Sequence, residues 1–423
     1  MKNINYWVET TPRPEGIATQ EVPSKVDVAI IGSGYTGLNA AIELAKSGTN
    51  VAVLEQETIG WGGSSRNGGL FSPDIAGGMD KIEERYGYDA AQFFWQWSID
   101  ACDHVERIVT DKGIECDFHR NGQIHLAYKP THFVDAKRYM ESVIQKFDYT
   151  GLRAIEASDL PTEIGSGSYY GGILEESGGG ADPAKYVFGL ARVAKHHGAI
   201  LVEKAKVTNI ERKNGKFQLF TSKGSIESKE VLLATSGYTS HLLPKARFGI
   251  FPIASCIILT EPLSPELQRE ISPNNRVFYD SKRLLNYFRL TADGRLLFGG
   301  RKSSAEDSNL AGSVRRIHRR MLEVFPQLRD TPISHTWSGY VGYTFDKMPH
   351  FGRINGVHYA YGYCGHGLVA ASYMGVEAAK VISGQQESSP FLEIPHPRYF
   401  FASFEKFFLP LGSLWYGFLD RIS

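Results

Sequence analysis

Three glycine-rich clusters hold the residues whose types and spacing could do chemistry. The first reads Gly32-Ser33-Gly34-Tyr35-Thr36-Gly37, and Glu55 follows near the spacing of about 20 residues usual for a ribose-binding acid. Gly32 allows a tight turn, Gly34 lets the backbone approach a pyrophosphate without a Cβ in the way, and Gly37 lets a helix pack on a strand. The amides and positive dipole of that helix would then face the phosphates, and Glu55 would bond both ribose hydroxyls. The alternative, a glycine-rich turn in some other α/β fold, does not call for the acid. The second cluster, Gly60–Leu70 (GWGGSSRNGGL), could lay backbone amides and small hydroxyls along an extended phosphate and ribityl chain, or be a surface loop. The third, Gly362-Tyr363-Cys364-Gly365-His366-Gly367, opens a small-residue helix whose N-terminus could face a ligand.

The elements that must position these clusters are legible around them. Val26–Ile31 (VDVAII) predicts a buried parallel strand, LNAAIELAKSG a helix stopped at Gly48, and Asn50–Leu54 a second strand. This is a βαβ unit with the dinucleotide fingerprint in its first turn. A simple NAD enzyme would continue with another helix and parallel strand where the second cluster stands. From about residue 80 the pattern changes. Helices are predicted over Tyr88–Lys112, Val134–Phe147 and Asp182–His197, with short strands around Phe118–Tyr128, Gly198–Glu203 and Lys206–Ile210 and a hairpin at Asn214-Gly215. Glu230–Ala234 leads into Thr235-Ser236-Gly237-Tyr238. A second excursion predicts antiparallel strands at Ile253–Thr260, Val277–Tyr279, Leu284–Leu290 and Arg295–Gly299, then a helix from Val314 to Phe325. Val357–Tyr361 is a last strand before the third cluster.

The chain has 423 residues, enough for two or three structural units, with 46 basic against 46 acidic side chains. Zero formal charge argues against broad binding to nucleic acid or anionic lipid. Four scattered cysteines, with no CxxC pair and no nearby histidine at zinc spacing, predict neither a disulfide framework nor a metal site. No signal peptide and no spanning helix are read from the sequence, so a cytoplasmic protein is expected.

The four motifs in order, namely GSGYTG with Glu55, GGSSRNGG, the LLATSGY return strand and GYCGHG, resemble the FAD-dependent D-amino-acid oxidase superfamily. Within it the chain looks most like γ-glutamylputrescine oxidase-type oxidoreductases. The resemblance implies an α/β fold, with a Rossmann-like FAD domain from 1–85, 155–240 and 336–384. It also implies a substrate domain on a large antiparallel sheet from 86–154 and 241–335, leaving 385–423 as an aromatic tail. It implies that Gly32, Gly34, Tyr35, Thr36 and Gly37 surround the pyrophosphate, with Glu55 and Gln56 at the adenosine ribose and Val207 at the adenine. Gly63, Ser64, Ser65, Arg66, Asn67, Gly68, Gly69 and Leu70 would line the flavin side, with Gly237 nearby. Gly365, His366, Gly367 and Leu368 would set a helix N-terminus at the flavin's pyrimidine edge, where its dipole stabilises negative charge.

The implied reaction is oxidation of a C–N bond in a primary or secondary amine: hydride passes to flavin N5 and the imine hydrolyses. Oxygen or a quinone would reoxidise the flavin. The alternatives are a 2-hydroxy-acid or polyol-phosphate dehydrogenase and a non-catalytic flavoprotein. Such chemistry asks side chains mainly for positioning, so the lack of a nucleophile or triad does not count against it. Three departures from sarcosine oxidase-type relatives stand out. Val369 replaces a carboxylate-clamping lysine, Leu297 replaces an oxygen-activating lysine, and Gly339–Asp346 lacks the flavin-attaching cysteine. Non-covalent FAD and slow reaction with oxygen are therefore expected.

Candidates for the catalytic side are Tyr287, Arg289, Tyr340 and His366, with Arg66 a further substrate contact. Tyr287 and Arg289 equally suit cross-strand pairing on an exposed sheet face, and Arg66 a salt bridge ordering the glycine loop. His119, His125, His196 and His197 are assigned nothing. The aromatic run Tyr399–Leu419 suits either a peripheral membrane anchor or a helix packed back on the protein.

Overall fold

The computed structural model describes residues 1–240, 242–301 and 310–404. Among them two eight-stranded sheets dominate. The first has Lys25–Ile31 at its centre, parallel to Gly224–Leu233 on one side and Val51–Leu54 on the other. Ile200–Val202 extends it beyond Val51–Leu54, and Val357–Tyr361 beyond Gly224–Leu233. Both faces are covered, which is why Val28–Ile31 and Val51–Leu54 read as uninterrupted apolar runs. One face packs under the helices Tyr35–Lys46, Pro183–His196 and Gly367–Ile382, and the other holds a separate cluster around Val26, Ala29, Ile31 and Leu233. Two of those helices approach closely because Gly375 has no side chain: a Cβ there would lie 2.4 Å from the Thr36 carbonyl oxygen.

The second sheet runs, in spatial order, Ile333–Tyr343, Phe251–Thr260, Leu296–Arg301, Asn286–Leu290, Val277–Asp280, Gln123–Leu126, Gly171–Glu175 and Leu152–Glu156. Its neighbours are antiparallel except Val277–Asp280 and Gln123–Leu126. One face carries Phe278, Phe288 and Phe298 under the helix Leu310–Val324, whose apolar positions Val314, Ile317 and Met321 recur at helical spacing. The opposite face looks towards the first sheet. Across it Ile173, His125, Tyr279, Tyr287, Gly299 and Ile257 stand in register.

The second sheet crosses the expected boundaries. Ile333–Tyr343, which straddles residue 336, pairs along its length with Phe251–Thr260. Leu152–Glu156 and Gly171–Glu175 join the same sheet, although most of that stretch was expected in the nucleotide unit. Ile333–Tyr343 (ISHTWSGYVGY) escapes sequence reading because its two glycines and polar residues break any apolar alternation. We propose that the boundaries fall near 182 and 344 instead.

All four cysteines are buried, and none is in a disulfide. No helix among the described residues is long and apolar enough to cross a membrane. The start of the aromatic tail packs back on the protein, where Phe345 meets the rings of Tyr399 and Phe401, and Arg247 donates to the Ala402 carbonyl. Residues 405–423, which carry most of the proposed anchor, lie outside the described residues.

Candidate functional site

One elongated cavity of about 400 Å³ runs from the ends of the parallel strands to the second sheet. At one end Glu55, Gln56 and Val207 line it; at the other stand Tyr287, Tyr340, Tyr343 and His366. The N-termini of Tyr35–Lys46 and Gly367–Ile382 both open on it, so two positive helix ends face a common space.

The first turn is built as its glycines require. Gly32 has φ +104°, and a Cβ there would meet the Ala234 carbonyl at 2.8 Å. A Cβ on Gly34 would lie 2.9 Å from Ser64 Oγ, which accepts from the Tyr35 amide at the helix start. The Glu55 carboxylate accepts from the Ser33 amide and hydroxyl (3.1 and 2.7 Å) and from the Glu57 amide (2.9 Å), so it is held in place while still facing the cavity.

The second cluster is an ordered loop, with Asn67 as its organiser. Its side-chain amide donates to the Gly63 and Ser64 carbonyls, each at 3.1 Å, and its oxygen accepts from the Gly69 amide at 2.8 Å. The chain's first residues brace the outside: Trp7 Nε1 donates to the Asn67 carbonyl and Asn5 to that of Ser65. Trp337 Nε1 does the same for Arg66. Nothing in the isolated N-terminal sequence marks Trp7 as a loop support.

Most of the expected residues line the cavity, and four do not. Gly37 lies behind the turn, where a Cβ would come within 2.0 Å of the Gly32 carbonyl oxygen, so it serves helix–strand packing and not the phosphates. Ser65 is buried in the loop's interior. Gly69 (φ +71°) faces Ala181, whose carbonyl oxygen would sit 2.0 Å from a Cβ. Arg289 is the fourth. It is buried, donates to the Gly68 and Ala181 carbonyls (both 2.8 Å), and stacks over Trp7 at 5.3 Å. Burial, only partly offset by Asp182 and Asp117, lowers its pKa to about 10. It is neither a substrate contact nor an exposed cross-strand partner, but a strut under the glycine loop. Arg66 reaches the cavity wall, yet its order comes from the Trp61 and Ser338 carbonyls and the Trp61 ring, with no carboxylate among the described residues involved.

At the far end the Tyr287 ring lies over Gly299, where a Cβ would come within 2.2 Å of its Cζ, and the hydroxyl meets Ser255 Oγ at 2.9 Å. The Tyr340 amide donates to the Tyr238 hydroxyl at 3.3 Å, and the two rings meet edge to face. Arg301, overlooked in the sequence because it ends a glycine-containing strand, lines the same end with its guanidinium 5.2 Å from the Tyr343 ring. His366 occupies the position before the helix start, and its buried Nδ1 has no partner among the described residues. Leu297 is fully buried in the core and Val369 in the helix; neither brings a charge here. Cys364 lines the cavity, but burial pushes its thiol up to about 11.

These features fit a dinucleotide that ends in a redox ring. A side-chain-free turn and ordered loop flank a long cavity, an acid waits at one end, and the orphaned His366 nitrogen waits at the other. The sequence model of the FAD dependent oxidoreductase (DAO) family matches residues 27–381. A probable oxidoreductase OrdL of Haemophilus influenzae is 34% identical over 366 residues, covering 85% of this chain and 84% of that protein. Gamma-glutamylputrescine oxidoreductase of Escherichia coli is 31% identical over 403 residues, 94% and 93% of the two chains. Glycine oxidase from Geobacillus kaustophilus superposes with a TM-score of 0.74 at 20% identity, over 89% of this chain and all of that one, a likeness of fold.

Proposed function

Because the chain belongs to the FAD-dependent oxidoreductase (DAO) family, we propose that it oxidises the C–N bond of a primary or secondary amine in the tyrosine-walled end of its cavity. The observation that carries this reading is the single cavity joining the Glu55 end to the Tyr287–Tyr340–His366 end. The names of relatives support the amine: gamma-glutamylputrescine oxidoreductase, sarcosine oxidase subunit beta of Rhizobium meliloti and glycine oxidase.

Glu55 would hold the adenosine ribose, the Gly34–Thr36 backbone and Ser64 the pyrophosphate, and the Gly365–Leu368 turn the flavin. Bound FAD supplies the hydride acceptor for the carbon beside the amine. The chain's own part is to position and to dry. Tyr287 and Tyr340 present flat aromatic walls that orient the C–H bond and exclude water, and their faces favour a cationic amine on arrival. The helix end at Gly367, which opens on the cavity, would favour negative charge on a cofactor bound there. His366 Nδ1, with no partner among the described residues, would bond the cofactor's polar edge. We place the enzyme in the cytoplasm, on four buried cysteines that form no disulfide. With Leu297 apolar and no lysine among the described lining residues except Lys206 near the adenine end, we expect oxygen to reoxidise it more slowly than a quinone.

An anaerobic screen of the purified yellow protein tests the reading. Amines are expected to bleach the flavin, whereas 2-hydroxy acids and polyol phosphates leave it oxidised. Bleaching by hydroxy acids alone, or by neither class, overturns it.

A further inference from the structure

A second cavity, of about 440 Å³, adjoins the first and shares Ser72, Gln123 and Tyr279 with it as common wall. It lies further along the same sheet face, above the strands Gln123–Leu126 and Gly171–Glu175. Its chemistry is that of a cation site. Glu175 is 93% buried: its Oε1 accepts from the Tyr149 hydroxyl and the Ser177 amide, while Oε2 has no partner among the described residues. Asp74 lines the same space, its Oδ1 accepting from the Ile75 amide.

We propose that this cavity is a distal subsite, in which Glu175 and Asp74 hold a second ammonium group of an elongated substrate whose reacting amine lies at Tyr287. The proposal rests on the amine reading above.

The neighbours support that polarity. His125 stacks flat on Tyr279 with ring centroids 4.6 Å apart, and burial lowers its pKa to about 4, so it adds no positive charge at neutral pH. His132 faces the Ser281 hydroxyl through Nδ1 at 2.6 Å. Asp135 stands exposed on the wall beside Arg138, and Arg283 is the one guanidinium on the wall among the described residues. Burial, reinforced by the Asp74 charge, raises the Glu175 pKa to about 7. An arriving ammonium reverses that penalty by pairing with the charged form. The register sets the length. Tyr279 separates His125 from Tyr287 across the strands, and Glu175 lies one strand beyond. At about 4.8 Å per strand, three strand spacings separate Tyr287 from the Glu175 strand by about 14 Å.

The test compares n-alkylamines, α,ω-diaminoalkanes and ω-amino acids of increasing length as reductants of the anaerobic holoenzyme, alongside calorimetric titration with the same compounds. Diamines spanning the register distance should exceed matched monoamines at least tenfold in kcat/KM, mainly through KM. In Glu175→Gln and in Asp74→Asn that ratio should fall towards one, with the visible flavin spectrum confirming that each variant is folded and loaded. Equal KM for monoamines and diamines, or an unaltered ratio in both variants, overturns the subsite alone. Preference for ω-amino acids overturns it in favour of an anion held by Arg283. Diamine binding that Glu175→Gln abolishes, with no bleaching by any amine, overturns the amine reading while supporting the cation site. Neither binding nor bleaching overturns both.

Discussion

Replacing Gly299 by alanine probes the close contact that seats the Tyr287 ring at the tyrosine-walled end. The backbone there is not in a left-handed conformation, so the added methyl acts by collision alone. It would stand 2.2 Å from Tyr287 Cζ, 2.4 Å from Cε2 and 2.5 Å from the hydroxyl oxygen, so the ring has to leave its place. Overpacking of this kind costs about 1–3 kcal/mol, and the hydrogen bond to Ser255 adds about 1 kcal/mol. Gly299→Ala should therefore lose about 2–4 kcal/mol in urea unfolding of the holoenzyme. Displacing the ring by about 1 Å should slow anaerobic flavin reduction by about 10²-fold. In a Tyr287→Ala background the methyl meets empty space, and its cost should drop below about 1 kcal/mol, leaving a coupling of about 2 kcal/mol. Equal costs in the two backgrounds would refute the packing argument and the placement of Tyr287 with it.

Two further outcomes follow from buried charges. Arg289→Met removes the donors from the Gly68 and Ala181 carbonyls, so the dissociation constant for FAD should rise at least about tenfold while KM at saturating FAD moves less than about threefold; the reverse pattern would make Arg289 a substrate clamp. Burial raises Glu175 from 4.5 to about 7, so the folded state binds the extra proton in that window and stability falls as pH rises through it. Glu175→Gln should cancel that fall, gaining up to about 3 kcal/mol over the parent above pH 7, and parallel urea-midpoint profiles for the two proteins would contradict it.

The nucleotide half was legible in the sequence because its grammar is local. A buried strand, a glycine turn, a helix and a terminal acid lie within one short stretch, each constrained by its neighbours in sequence. The substrate half was less so. Ile333–Tyr343, eleven residues paired along one edge, has polar residues and glycines on a strand that closes a cavity, so no simple period survives. Arg289 misled because an arginine near a binding motif suggests a ligand, but backbone carbonyls of a glycine-rich loop demand donors too, a demand Arg66 also meets at the Trp61 and Ser338 carbonyls. Glu175 and His125 gave no signal, since their meaning arises only when distant strands come into register. Arg301 could have been found by alternation from Gly299 on its strand.

The bracing of the glycine loop has a temporal side. Trp7, Asn67, Arg289 and Trp337 are far apart in the chain yet meet around one turn, and the Lys2 amide pairs with the Ser334 carbonyl. During synthesis the loop therefore waits for some 270 further residues before its last support, Trp337, exists. Long-range closure of this kind is slow and exposes apolar surface meanwhile. Capture of the coenzyme thus becomes one of the closing events of maturation, and supply of riboflavin during expression should govern how much polypeptide escapes aggregation.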